Sequence, residues 1–175
     1  NILFIGGYPP PFGGIASHLK SVLPLLSDKG YDISVITSSK SNSSKSVGNI
    51  LINYTNLSDI YKSDIFSLVF YTIKFWRLKF DLDLLSFVKS IALAIYFKKH
   101  INKKNIDQLF VYQISSTYFI PIINEMLSRP VPIHIMIFGA FNLNPKYYIN
   151  HKNYLYSIFN KSTTILSSSR HCADS

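Results

Sequence analysis

NILFIGGYPPPFGGIASHLKSVLPLLSDKG, residues 1–30, decides how the rest of this chain is read. The apolar run Ile2–Ile5 gives way to a loop of Gly and Pro, and at Gly13-Gly14 the loop gives way to a segment with helical spacing. Strand, glycine loop, helix is how an α/β domain begins. The junction carries the chemistry. Glycine has no Cβ to hold a ligand off the backbone, and a helix opening there offers unpaired N–H groups and a partial positive charge. A phosphate or a sugar hydroxyl suits such a place. The opposing reading is a plain helix entry packed tightly on the strand. Ile15, Leu19, Val22, Leu23 and Leu26 share one face of the helix, which is expected to reach about Lys29 and stop at Gly30. Pro24 is expected to kink it or mark an irregular turn.

Outward from this unit, Asp32–Thr37 (DISVIT) reads as a buried parallel strand and Ser38–Gly48 as a mobile Ser/Lys/Asn loop without hydrophobic period. A short strand at Ile50–Ile52 precedes a helix capped by Ser58 and running to Lys79. A second helix, about Leu82 to His100, ends in the cations Lys98, Lys99, Lys103 and Lys104, with Asp81 and Asp83 expected to cap its start. Strand Gln108–Tyr112, helix Ser116–Leu127, strand Ile133–Phe138, helix Pro145–Phe159 and strand Thr163–Ser167 complete the order. It specifies one Rossmann-like domain over residues 1–175, a doubly wound parallel α/β sheet with helices on both faces. Such sheets bind ligands beyond the carboxyl ends of their strands. Here those are the loops Gly6–Gly14, Thr37–Lys40, Gln113–Ser116, Gly139–Asn144 and Ser168–His171.

The composition, 47% hydrophobic and 15% charged, excludes a disordered chain, and the formal charge of +9 asks for an anionic partner. Nucleic acid, an anionic membrane and phosphorylated small molecules all meet that demand. The basic residues do not interleave with aromatics as in RNA-binding sheets, and no helix-turn-helix pattern occurs, which ranks nucleic acid last. One cysteine, Cys172, excludes an internal disulfide and a cysteine-based zinc site, and reads as a cytosolic chain. Charged residues interrupt the apolar middle before it reaches the length of about 18 residues that a membrane-spanning helix requires, so no span is expected. The nine acidic residues are scattered, without the paired carboxylates or nucleophile elbow of a hydrolase.

The glycine loop matches neither G-x-G-x-x-G nor a Walker loop. YPPPFGGIASHLKSVLPLLSDKGYDISVIT (8–37) instead resembles the opening βαβ unit of GT-B glycosyltransferases of family 4. In that family a proline loop precedes Gly-Gly-aliphatic, and the helix ends before Gly-(His/Tyr)-(Asp/Glu) and a Val/Ile/Thr strand. Asn105-Ile106-Asp107 before the strand at 108, Ile133–Gly139, and Thr163–Ser169 resemble later steps of the same half. The resemblance implies the acceptor-side, N-terminal domain of a retaining, hexosyltransferase-type enzyme. It would act on a glycan or lipid-linked acceptor in cell-surface polysaccharide or glycolipid synthesis. The nucleotide-sugar co-substrate would be held by a C-terminal donor domain absent from these residues, leaving this chain alone inactive. No metal or further cofactor is implied, and no residue is assigned as catalytic. Binding of the donor phosphate or acceptor is implied for Gly13, Gly14, His18, Phe138, Gly139 and Ser168. Phe138 stands where the family often has histidine, and His134 lies four residues earlier, away from the loop. The competing class is a non-catalytic Rossmann-like module that recruits a partner or membrane.

The run IFSLVFYTIKFWRLKF (65–80) is apolar on nearly every side. Phe66, Val69, Phe70, Ile73 and Trp76 form a stripe with core spacing, yet Ile65, Leu68, Tyr71, Thr72 and Phe75 make the opposite side apolar as well. One cover is the following helix. The other is the interface of an anionic membrane, contacted by Lys74, Trp76, Arg77 and Lys79, which would make the protein peripheral at the inner face.

Overall fold

The computed structural model describes residues 1–8, 14–38, 40, 42–62, 65–112, 117–137 and 150–167. Seven strands form one sheet: β1 (Ile2–Ile5), β2 (Ile33–Ser38), β3 (Ser43–Val47), β4 (Ile50–Thr55), β5 (Gln108–Tyr112), β6 (Ile133–Ile137) and β7 (Thr164–Ser167). Their order is β3-β4-β2-β1-β5-β6-β7, and every pairing is parallel except β3 with β4. This is the Rossmann-like α/β sheet that the alternation of elements specifies.

Among the described residues one helix, α1 (Gly14–Asp28), covers one face. It buries Ile15, Leu19 and Leu23 on Ile2, Phe4, Ile33, Val35, Ile50 and Ile52. It runs on through Pro24, which lies on its exposed side, where the carbonyl deprived of a donor can meet water. Gly30 ends it at φ +84°, with Tyr31 N–H bonded to the Leu26 carbonyl and Gly30 N–H to that of Ser27, the paired closure that a glycine in left-handed geometry permits.

Leu3 and Ile5 of β1, with Leu109 and Val111 of β5 and Ile133 and Ile135 of β6, face the larger core on the other side. Its cover comes from α4 (Leu84–Lys104), α5 (Ile120–Met126) and α6 (Lys152–Asn160), with α2 (Leu57–Lys62) and α3 (Ile65–Lys74) outside α4. Asp83 caps α4 through a 2.9 Å bond from Ser86 N–H, and the Ser86 hydroxyl together with this N–H holds its carboxyl below the usual carboxylate range. Leu82 before this cap and Phe87 after it are both buried in the core, as in a hydrophobic staple. Asn105 closes α4 in the left-handed region at φ +48°.

Four expectations are corrected. Residues 43–47 are not part of a loop: β3 turns into β4 through Gly48-Asn49, with Gly48 at φ +58°. An exposed Ser/Lys strand carries no hydrophobic period, and it suits a sheet edge for that reason. The helix expected over Ser58–Lys79 is α2, α3 and then a single 3-10 turn at Trp76–Leu78, and it is Asn56, not Ser58, that caps α2 by accepting Ser58 N–H at 3.0 Å. The core-spaced stripe of α3 is the outward one. Leu68 and Tyr71 pack against the core and Phe75 is buried, whereas Phe66, Val69, Phe70, Ile73 and Trp76 are exposed. Finally, Asp81 does not cap α4. Its carboxylate accepts the N–H groups of Asn153 (2.8 Å) and Tyr154 (3.1 Å), capping α6 from seventy residues away in sequence. The expected starts at Ser116 and Pro145 lie outside the described residues.

Because α6 leads into the parallel strand β7, its N-terminus lies at the carboxyl edge of the sheet, and Asp81 therefore fixes the α3–α4 connection at that edge. No helix among the described residues is long and apolar enough to cross a membrane. Asp81→Ala leaves two N–H groups at the start of α6 without a side-chain acceptor. It should cost about 1 kcal/mol, read as a lower urea midpoint with unchanged slope; an unchanged midpoint would remove this cap from the account.

Candidate functional site

The chain leaves β1 toward β2 on one side and returns through α4 to β5 on the other, so the direction of winding reverses between β1 and β5. A crevice opens at the carboxyl ends of the strands at such a point. Three contacts shape it here. Gly6 N–H bonds to the Ile36 carbonyl at 3.1 Å, holding the start of the loop against β2. Tyr8 N–H bonds to Thr37 Oγ1 at 3.0 Å, and Thr37 is buried. On the other flank, a Cβ on Gly6 would lie 2.7 Å from Tyr112 Cβ, so only glycine lets β1 and β5 approach this closely at their ends.

Tyr112, the last residue of β5, is buried beneath the opening of α1, its ring 6.0 Å from that of His18. Burial pushes its phenol up to about 12, so at neutral pH it is protonated and serves as a hydrogen-bonding group, not a base. His18 is half-buried, one turn into α1 and in line with Gly14, because side chains four residues apart on a helix stack along one face and lean toward its N-terminus. Gly14 itself is exposed. A Cβ there would meet no atom within 4 Å among the described residues, and its φ is not in the left-handed range. Among the described residues, neither packing nor backbone conformation requires glycine at 14.

Of the residues named from the sequence, Gly14 and His18 come together here beside Tyr8, Thr37 and Tyr112. Gly13, Phe138, Gly139 and Ser168 lie outside the described residues. Lys74, Trp76, Arg77 and Lys79 lie at the α3–α4 connection, apart from the crevice. Lys74 sits over the Phe70 and Phe75 rings, Lys79 over Trp76, and Arg77 pairs with Glu125 at 3.4 Å. His134 lies within β6, stacked on Phe110 with ring centroids 4.6 Å apart. Its Nε2 is buried without a hydrogen-bond partner among the described residues, and burial lowers its pKa, so it is a neutral packing residue away from the strand ends.

Sequence reading missed Gly6 and Tyr112, whose requirement for each other crosses two strands. A cavity of about 560 Å³ lies elsewhere, between the β3–β4 edge and α4, lined by Asn42, Asn53, Asp59, Tyr96, Lys99 and His100 among others. Its mouth is broad, and its side chains are engaged with one another: Asn42 donates to Asp59 at 2.7 Å, Thr55 and Tyr96 hydroxyls meet at 2.9 Å, and His100 Nδ1 bonds the Tyr96 carbonyl at 3.1 Å. The crevice, where backbone groups are left open at a reversal of winding, is the better candidate. Among the described residues no group of three His, Cys, Asp or Glu side chains is placed to hold a metal ion.

No family model matches the chain, and no curated protein matches it. Its fold does match solved structures. It is similar to an α,α-trehalose 6-phosphate synthase from Burkholderia multivorans with a TM-score of 0.56 and 11% identity, over 94% of this chain and 39% of that one. It is similar also to an α,α-trehalose-phosphate synthase (UDP-forming) from Burkholderia vietnamiensis, with a TM-score of 0.52 and 11% identity over 90% and 39% of the two chains. At that identity the likeness establishes the fold alone, a Rossmann-like α/β domain. The chain spans well under half the length of either enzyme.

The two glycines give opposite expectations. Gly6→Ala must push β1 and β5 apart and should destabilise by about 1–3 kcal/mol, while Gly14→Ala should leave stability unchanged or raise it by up to about 1 kcal/mol. Thermal melts of the two variants distinguish them; equal losses would contradict the described crevice.

Proposed function

We propose that this chain is the acceptor-side domain of a GT-B glycosyltransferase, with the crevice between β1 and β5 as one wall of the active site. The observation that carries the reading is Gly14. A glycine that, among the described residues, neither packing nor backbone geometry needs stands at the N-terminus of a helix at the point where the sheet's winding reverses. Leaving out the Cβ allows a ligand to reach the N–H groups of the first turn of α1. The likeness in fold to synthases, one of them UDP-forming, supports a leaving nucleoside diphosphate. The motif YPPPFGGIASHLK adds the family 4 resemblance.

In this reading a nucleotide-sugar is held mainly by a second Rossmann-like domain, and the acceptor lies over the carboxyl ends of β1, β2 and β5. The residues of this half do their work by position. The opening of α1 stabilises negative charge on the departing diphosphate through backbone N–H groups and the helix dipole. His18 borders the acceptor above the buried, protonated Tyr112, Tyr8 and Thr37 hold the loop, and the buried sheet edge limits water. The family 4 resemblance adds Gly13, Phe138, Gly139 and Ser168 as binding residues. The transfer retains configuration and needs no metal from this half. The acceptor is a glycan or a lipid-linked sugar of a cell-surface polysaccharide or glycolipid, and the enzyme works in the cytoplasm.

The test joins this chain to its donor-binding half and follows release of nucleoside diphosphate from nucleotide-sugars in the presence of oligosaccharide acceptors. Gly14→Ala should lower kcat/KM at least about tenfold, the equivalent of about 1.4 kcal/mol of transition-state stabilisation, without loss of thermal stability. Unchanged turnover in that variant would separate Gly14 from the active site. Absence of any transfer would favour a non-catalytic binding module.

A further inference from the structure

We infer that the outward face of α3, continued by Trp76, is a membrane-docking surface that seats this domain on anionic lipid. The face is defined by what the core leaves outside. Leu68, Tyr71 and Phe75 of this segment are turned toward α4, so the structure already supplies the partner that an amphipathic helix requires. The opposite side is nevertheless apolar and open to solvent: Phe66 is 91% exposed, Ile73 72%, Val69 54%, Phe70 59% and Trp76 53%. Leu84 and Leu85, at the start of α4, are also exposed. Single exposed apolar side chains need no explanation, but a contiguous set of them on one helix marks a surface that something covers.

The charge around this face selects the occupant. From Lys62 to Lys104 the chain carries nine Lys or Arg residues against Asp64, Asp81 and Asp83. Asp81 and Asp83 are engaged as helix caps. Lys74 and Lys79 border the apolar stripe, each over an aromatic ring, and Lys98 lies over Tyr71 on the neighbouring helix. Apolar side chains flanked by cations, with an indole at the margin, match the depth profile of an anionic bilayer: acyl chains, then headgroups. A second copy of this chain fits less well, since a two-fold interface brings the same patch to itself and would set Lys74 and Lys79 near their own counterparts. The α3–α4 connection lies at the carboxyl edge, the edge of the crevice. A domain seated this way holds its crevice at the lipid surface, where a lipid-linked acceptor would be found.

The protein carries its own probe, because Trp76 is its single tryptophan. Flotation with vesicles of phosphatidylcholine plus phosphatidylglycerol should recover the protein and shift Trp76 emission to the blue, while vesicles of phosphatidylcholine alone should recover little. Phe66→Asp with Ile73→Asp should abolish both signals without lowering the melting temperature, as both positions are exposed. Lys74→Glu with Lys79→Glu should weaken binding about tenfold or more. The inference is overturned if no vesicle recovers the protein, or if recovery ignores lipid charge and the lysine reversals. It is also overturned if light scattering shows a dimer that the Phe66/Ile73 variant dissolves, which would assign the face to a second copy. Vesicle binding needs no sugar, so this result and the transferase assay can fail independently.

Discussion

The contact on which the rest of this domain depends is the approach of β1 and β5 at their carboxyl ends, where Gly6 lies against Tyr112. These two strands are the centre of the sheet and the place where its winding reverses. A side chain at Gly6 would meet Tyr112 Cβ at 2.7 Å, and yielding there would separate the strands. The loop anchor of Tyr8 on Thr37, the burial of Tyr112 and the placing of His18 over it all assume that spacing. The crevice is thus a consequence of how closely two buried strands pack, and its chemistry is supplied by the helix that opens beside them.

A second constraint acts at the same edge. Asp81 ties the α3–α4 connection to the first turn of α6, joining a segment with an apolar outer face to the helix that feeds the last strand. Arg77 and Lys161 both reach Glu125 of α5, at 3.4 and 3.5 Å. These exposed ion pairs add little individually. The Asp81 bonds satisfy N–H groups that the helix itself cannot and carry more of the positioning.

The parts of the fold legible in the sequence were those set by local rules. β5 coincides with the apolar run Leu109–Tyr112 and the residue before it, and Gly30 stops α1 because left-handed geometry suits glycine. β3 was illegible by hydrophobicity, as SSKSV buries nothing; its signal was Gly48-Asn49, a two-residue hairpin turn. Periodicity could not orient α3, since apolar residues occupy both sides, and only the presence of α4 decides that Leu68 and Tyr71 turn inward. Of the site, Gly14 and His18 were legible through their place at the end of a glycine loop. Gly6 and Tyr112 were not, because the steric demand between them arises only once two strands distant in sequence become neighbours.

The central claim is that ligand engages the crevice at the opening of α1 and not the groove beside β3 and β4. Backbone amide shifts of the isotopically labelled chain, titrated with a nucleotide-sugar and an oligosaccharide acceptor, address it directly. The account predicts that the largest changes fall on Gly7, Tyr8, Gly14–His18 and Tyr112, with Asn42, Asp59 and His100 unmoved. Changes concentrated on Asn42, Asp59 and His100, with the first turn of α1 undisturbed, would contradict it.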